Sequence, residues 1–162
     1  MQIKVISRDD AMAFCQKPHL AQFVMISISN PYTAYSSQPF MSEKNNIIDI
    51  LRLSFVDADG VSDLDVYGKI ARKEDMFSDE QAKQVVDFAE KYKNYPIIVH
   101  CDAGISRSAG VGAAILKHYT GSDSQIFNSR WYAPNMFVYY KVLKAFGDWG
   151  FIEEYGEIEG EI

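Results

Sequence analysis

The chain has 162 residues, 48% of them hydrophobic, and a formal net charge of −6. That length suits one domain around one core, and the acidic balance leaves no electrostatic footprint for nucleic acid or an anionic membrane surface, so neither partner is expected. No run reaches the roughly eighteen apolar residues a bilayer span needs. The N-terminus lacks a signal-peptide pattern and the two cysteines make no disulfide framework, so a soluble, cytoplasmic protein is expected.

In chain order, short apolar runs predict strands over 2–6 and 23–28, with a helix from Asp10 to Gln16 between them that holds Cys15 in the core. A polar stretch follows, in which Tyr32 and Tyr35 could flank a substrate. Ile47 to Val56 is rich in strand formers and runs directly into Asp57-Ala58-Asp59-Gly60. From Asp57 to Phe77 the chain is polar and aperiodic, a pattern shared by mobile specificity loops and by insertions without function. Ser78 and Gln81 form a capping-box pattern, and Ala82, Val85, Val86, Ala89 and Tyr92 then recur on one helical face.

Pro96-Ile97-Ile98-Val99 has the apolar, β-branched character of a buried parallel strand. Arg107 to Tyr119 predicts a helix, apolar almost all round, with Gly110 and Gly112 marking close packing and Gly121 as its C-cap. A short helix is expected over 124–128. Pro134 opens a longer one whose Phe137, Tyr140, Val142, Leu143 and Phe146 cover the core. Trp131, Tyr132, Tyr139 and Tyr140 read as core packing ahead of a pocket edge. Residues 151–162 are expected to be an acidic, solvated tail beyond a single domain of residues 1–150. Strands alternating with helices give an α/β class, a central and mainly parallel sheet of about four or five strands flanked by helices.

The chemistry concentrates in His100-Cys101-Asp102-Ala103-Gly104-Ile105-Ser106-Arg107-Ser108, between the last strand and the apolar helix. A helix N-terminus leaves backbone N–H groups unpaired and gathers partial positive charge, so the amides of Asp102, Ala103, Gly104, Ile105, Ser106 and Arg107 can wrap a tetrahedral dianion. Gly104 allows a backbone conformation or close approach that a Cβ would obstruct. Arg107 adds a bidentate clamp. The same field favours a thiolate, which makes Cys101 an expected nucleophile, with Ser108 placed to hydrogen-bond the sulfur as it departs. His100 is expected to orient the loop and not to transfer protons, and Asp102 to point to solvent. A protective disulfide between Cys15 and Cys101 would require the two to be close in space. The histidines show no metal-ligand spacing, and no cofactor is implied.

His100 to Ser108 resembles the His-Cys-x5-Arg-Ser signature of the protein tyrosine phosphatase superfamily, and Asp102 to Gly110 is most similar to its small dual-specificity branch. The likeness is dense from Ile47 to Tyr119, weaker to Phe146 and poor before Ile47. It implies a phospho-cysteine intermediate on Cys101, phosphate binding by Arg107, an upstream aspartate as general acid, and a phosphorylated protein or peptide as substrate. Leu53-Ser54-Phe55-Val56-Asp57 resembles the segment that supplies that acid, which makes Asp57 the first candidate, Asp59 the second, and Asp63 and Asp65 the remainder. The interval from Asp57 to Cys101 is longer than the branch usually has. Two other readings stand beside a protein phosphatase: a catalytically weak phospho-binding module, and a phosphoinositide or small-molecule phosphatase on the same fold. The five residues inside the signature carry no extra base, which disfavours the latter.

Overall fold

The computed structural model describes residues 1–33, 38–59, 64, 68–148 and 150. Strands β1 (Ile3–Ile6), β2 (Phe23–Ser29), β3 (Ile47–Ser54) and β4 (Ile97–His100) form one sheet in the order β1-β4-β2-β3, every pairing parallel. Helices α1 (Arg8–Cys15), α2 (Asp79–Lys91), α3 (Arg107–Thr120), α4 (Ser124–Phe127) and α5 (Met136–Phe146) connect or cover the strands. This is the α/β sheet expected from the alternation of elements. The path from β3 through α2 to β4 is parallel as expected, but β4 docks between β1 and β2, not beside β3.

Side chains alternate across the sheet with the period of two that a pleated strand imposes. Val24, Ile26, Ile28, Ile97 and Val99 face the larger core with α2, α3 and α5, while Phe23, Met25 and Ile98 face the smaller one with Ala11 and Cys15 of α1. Each such side chain taken fully out of water contributes roughly 1.5–3 kcal/mol, and the central strands β2 and β4 are buried along almost their whole length. Continuous apolar runs without strict alternation are therefore the sequence signature of these two strands.

Caps set the helix starts. Ser7 Oγ accepts from Asp10 N–H at 3.1 Å, so α1 begins at Arg8 and not at Asp10. The capping box of α2 closes as expected: Ser78 Oγ accepts from Gln81 N–H at 3.1 Å, and Gln81 Oε1 accepts from Ser78 N–H at 3.0 Å. Gln81 Nε2 also donates to the Ser54 carbonyl at 2.9 Å, which pins the helix start to the end of β3. The buried stripe of α2 takes Phe88 where Val86 was expected, Val86 being half-buried. Pro134 does not open α5: Asn135 caps it, and Met136 is its first residue. Tyr139 and Tyr140 are core residues, as expected, whereas Trp131 is 71% exposed.

In α3 the glycines are explained by proximity. A Cβ on Gly110 would lie 2.6 Å from the Asn135 carbonyl oxygen, and one on Gly112 would lie 2.8 Å from Val5 Cγ2. Gly121, at φ +73°, ends the helix in the left-handed cap expected of it. No helix among the described residues is long and apolar enough to cross a membrane.

The stretch after β3 is not structureless where it is described. Leu64 and Ile70 form an antiparallel bridge, Lys73–Asp75 is a 3-10 turn, and Phe77 is buried with its ring 4.7 Å from that of Phe55. Val56 N–H donates to the Asp75 carbonyl at 2.8 Å, so the chain returns to the strand end it left. Asp63, Asp65, Tyr35 and the acidic segment 151–162 lie outside the described residues.

Candidate active site

Because all the strands run the same way, their C-terminal ends share one edge, the edge at which ligands bind in parallel α/β sheets. Each strand delivers a polar residue there: Arg8 just after β1, Asn30 directly after β2, Asp57 after β3 and Cys101 directly after β4. The sequence singled out only the last two. Asn30 had a readable signal in its position behind an apolar run, the same position that singled out Asp57.

Cys101 is 2% exposed, and its Sγ lies 3.1 Å from Ser108 Oγ in the first turn of α3. Between them the loop turns its carbonyls outward. The Asp102 carbonyl accepts from Arg8 N–H at 3.1 Å, the Ile105 carbonyl from Ala133 N–H at 3.0 Å, and the Ser106 carbonyl from Asn135 N–H at 3.1 Å. The backbone N–H groups from Asp102 to Arg107 donate to no group among the described residues. A loop at a helix start whose carbonyls at 102, 105 and 106 are bonded and whose amides are uncommitted has the make-up of an anion cradle. Gly104 is required by geometry: its φ is +71°, and a Cβ would lie 2.3 Å from the Ile6 carbonyl carbon. Close approach to the end of β1 is thus what excludes a side chain.

Arg107 is 2% exposed despite its charge. Its Nη1 donates to Asn30 Oδ1 at 2.7 Å and to the Phe55 carbonyl at 2.9 Å, its Nη2 donates to Asp102 Oδ2 at 3.0 Å, and its Nε has no partner among the described residues. Asp102 is a correction. It does not face solvent but turns inward, pairing with Arg107, accepting from Asn30 Nδ2 at 3.0 Å, and lying 3.7 Å from Arg8 Nη1. The physical reason is compensation: a buried guanidinium needs an anionic partner, and the residue following Cys101 supplies it.

His100 is buried beneath the loop. Its Nδ1–H donates to the Cys101 carbonyl at 3.0 Å, because a carbonyl can only accept, and Nε2 then accepts from Ser27 Oγ–H at 2.7 Å. Burial lowers the proton affinity of this imidazole below its ordinary value, which favours the neutral tautomer those bonds require. Both ring nitrogens are committed to structure.

Of the aspartates, Asp57 is 7% exposed and reaches the loop: its Oδ1 accepts from Ser106 Oγ at 2.8 Å and from Asn135 Nδ2 at 2.8 Å. Asp59 is exposed. Ser106, which makes no side-chain cap on α3, is turned to the carboxylate instead. Tyr32 donates to Asp75 Oδ1 at 2.7 Å beneath the Arg72 guanidinium, so its hydroxyl is engaged within the protein. Both cysteines are free thiols and lie in separate cores, Cys15 with α1 and Cys101 with α3, which leaves no disulfide between them. Burial pushes the Cys15 thiol up. Among the described residues no three His, Cys, Asp or Glu side chains converge as a metal site would need.

The sequence matches no protein-family model and no curated protein. Solved structures do match it. Human DUSP28 aligns at a TM-score of 0.55 and 18% identity over 93% of this chain and 95% of its own. PTPMT1, in a complex with PI(5)P, gives 0.54 and 16% over 91% of each chain. The human tyrosine phosphatase-like serine/threonine/tyrosine-interacting protein gives 0.54 and 16% over 80% of this chain and 79% of its own. The chain has a dual-specificity phosphatase-like fold. In such a fold the edge carrying Cys101 and Arg107 is where this chain concentrates its uncommitted donors, and the sheet is the four-stranded version of the architecture expected from sequence.

Proposed function

We propose that the chain is a phosphomonoesterase that works through a cysteinyl-phosphate intermediate, acting on phosphorylated protein or peptide, with phosphotyrosine as the favoured side chain. The observation that carries this reading is the cradle itself: Cys101 Sγ, 3.1 Å from Ser108 Oγ, under a loop whose amides donate to nothing among the described residues.

In the first step the Cys101 thiolate attacks phosphorus in line with the ester oxygen. The S–P bond forms, the P–O bond breaks, and Asp57 gives its proton to the departing oxygen. The amides from Asp102 to Arg107 and the Arg107 fork stabilise the equatorial oxygens. For this Arg107 already has its orientation, set by Asn30, Asp102 and the Phe55 carbonyl. In the second step water attacks the phospho-cysteine, the Asp57 carboxylate takes a proton from it, and the S–P bond breaks to release inorganic phosphate. Ser108 donates to the leaving thiolate. His100 serves by fixing the Cys101 carbonyl. Phenolic leaving groups are weaker bases than alkoxides, which favours aryl phosphates. A free thiolate also favours a reducing compartment such as the cytoplasm.

A second reading, phosphoinositide hydrolysis, draws on the neighbour solved with PI(5)P. Against it, Asp102 is the only charged residue among the five between Cys101 and Arg107, and it is acidic. The deciding experiment is hydrolysis of para-nitrophenyl phosphate in chelator and reducing agent by the native chain and by Cys101→Ser. Turnover by the native chain alone, with the variant down on the order of 10⁴-fold or more, is expected. Silence from both would favour a phospho-binding module.

A further inference from the structure

Asn135 lies far from the signature in sequence and is 6% exposed, yet it meets the phosphate loop, the Asp57 turn and α5 at once. Its backbone N–H donates to the Ser106 carbonyl at 3.1 Å, and its Oδ1 accepts from Val138 N–H at 3.1 Å as the α5 cap. Both hydrogens of its amide then go to the other segment: Nδ2 donates to Asp57 Oδ1 at 2.8 Å and to the Ala58 carbonyl at 2.9 Å. The backbone can come this close to α3 because residue 110 is glycine, whose Cβ would lie 2.6 Å from the Asn135 carbonyl.

We propose that Asn135 is a positioning residue for the acid, holding the Asp57 carboxyl against the phosphate loop and leaving Oδ2 as the oxygen that carries the proton. The argument is one of donors and lone pairs. Two donors, Ser106 Oγ and Asn135 Nδ2, converge on Oδ1, and none among the described residues reaches Oδ2. A proton on Oδ1 would oppose both donors, so the acid form holds it on Oδ2. Ser106 belongs to the loop and Asn135 to α5, so the carboxyl is fixed from two sides. The bond to the Ala58 carbonyl fixes the turn that bears the carboxyl as well. A proton donor held in this way needs no reorientation when the ester oxygen begins to leave.

The inference rests on Asp57 being the general acid, and leaving-group dependence separates the two claims. Aryl phosphates ranging from phenyl to dinitrophenyl differ in how much they need a proton, and kcat/KM reports the step in which the aryl oxygen leaves. Asp57→Asn is expected to lose about 10²–10³-fold on phenyl phosphate and little on the dinitrophenyl ester. Asn135→Ser keeps an oxygen for the α5 cap but removes the amide donors. It is expected to lose about 10–100-fold on phenyl phosphate and less than about 3-fold on the activated ester, with Asp57→Asn/Asn135→Ser within about 2-fold of Asp57→Asn alone.

A steep Asp57→Asn profile with an equal loss on every ester for Asn135→Ser, or losses that multiply in the double variant, overturns the positioning role while leaving the acid in place. An Asp57→Asn profile as flat as the native one overturns the acid assignment and the inference together. Should Asn135→Ser fold poorly, Asn135→Asp retains cap and shape while replacing the donors with an acceptor, and the same selective loss is required of it.

Discussion

The loop after β4 and the turn after β3 face each other across the same sheet edge, yet they are held in opposite ways. From His100 to Ser108 one contiguous segment carries the proposed nucleophile, cradle, clamp and sulfur partner, and its neighbours tie down the carbonyls at 102, 105 and 106. The Asp57 turn supplies a single carboxylate, and its orientation is set by Ser106 and Asn135 from elsewhere in the chain. On the proposed reading, phosphate recognition is written locally, because a helix N-terminus and a tight loop are local structures, whereas aiming a proton is a relation between segments.

Arg107 is where the two regions meet, since its guanidinium bonds both Asp102 in its own loop and the Phe55 carbonyl ahead of Asp57. Arg107→Lys keeps the charge but loses the fork. A fall in kcat/KM of about 10²–10³-fold on para-nitrophenyl phosphate is expected, together with weaker competitive inhibition by inorganic phosphate. A loss under tenfold would mean that charge alone suffices and that the buried fork is not what joins the regions.

The next test asks how rigidly the loop is seated. Gly104 and Gly121 share φ near +70°, but a Cβ at 104 would strike the Ile6 and Ser7 backbone, whereas at 121 nothing lies within 4 Å. Gly121→Ala is expected to cost about 1–2 kcal/mol from backbone conformation alone. Gly104→Ala is expected to cost about 2 kcal/mol more in urea unfolding, the loop being forced off β1. Equal losses would show that the loop can move without cost.

The smallest effect concerns the support under the loop. Burial disfavours the His100 imidazolium, so the unfolded chain, whose histidine titrates near 6.5, binds that proton more readily than the folded one. Stability from this group is complete above about pH 6.5 and is lost as pH falls below it, by up to about 1.4 kcal/mol per pH unit. Between pH 7 and pH 5.5 the native chain is expected to lose more stability than His100→Gln in urea unfolding, and parallel losses would refute the buried neutral imidazole.

The sequence by itself determined the α/β class, the strand-loop-helix unit and the capping box of α2, because these depend on periodicity, turn residues and hydrogen bonds a few residues apart. It also marked Cys101, Arg107, Ser108 and Asp57, whose positions behind apolar runs place them at strand ends or a helix start. It misread Asp102, since nothing local reveals that Arg107 would be buried and need a counter-charge. It passed over Asn30, although that residue also stands behind an apolar run, and Asn135, because a position in the chain does not name a partner. Each is an ordinary polar residue beside an element, and its role comes from a partner more than seventy residues away, Arg107 for Asn30 and Asp57 for Asn135. Only the tertiary structure decided these pairings, because the order in which parallel strands line up, β4 entering between β1 and β2, determines which strand ends become neighbours.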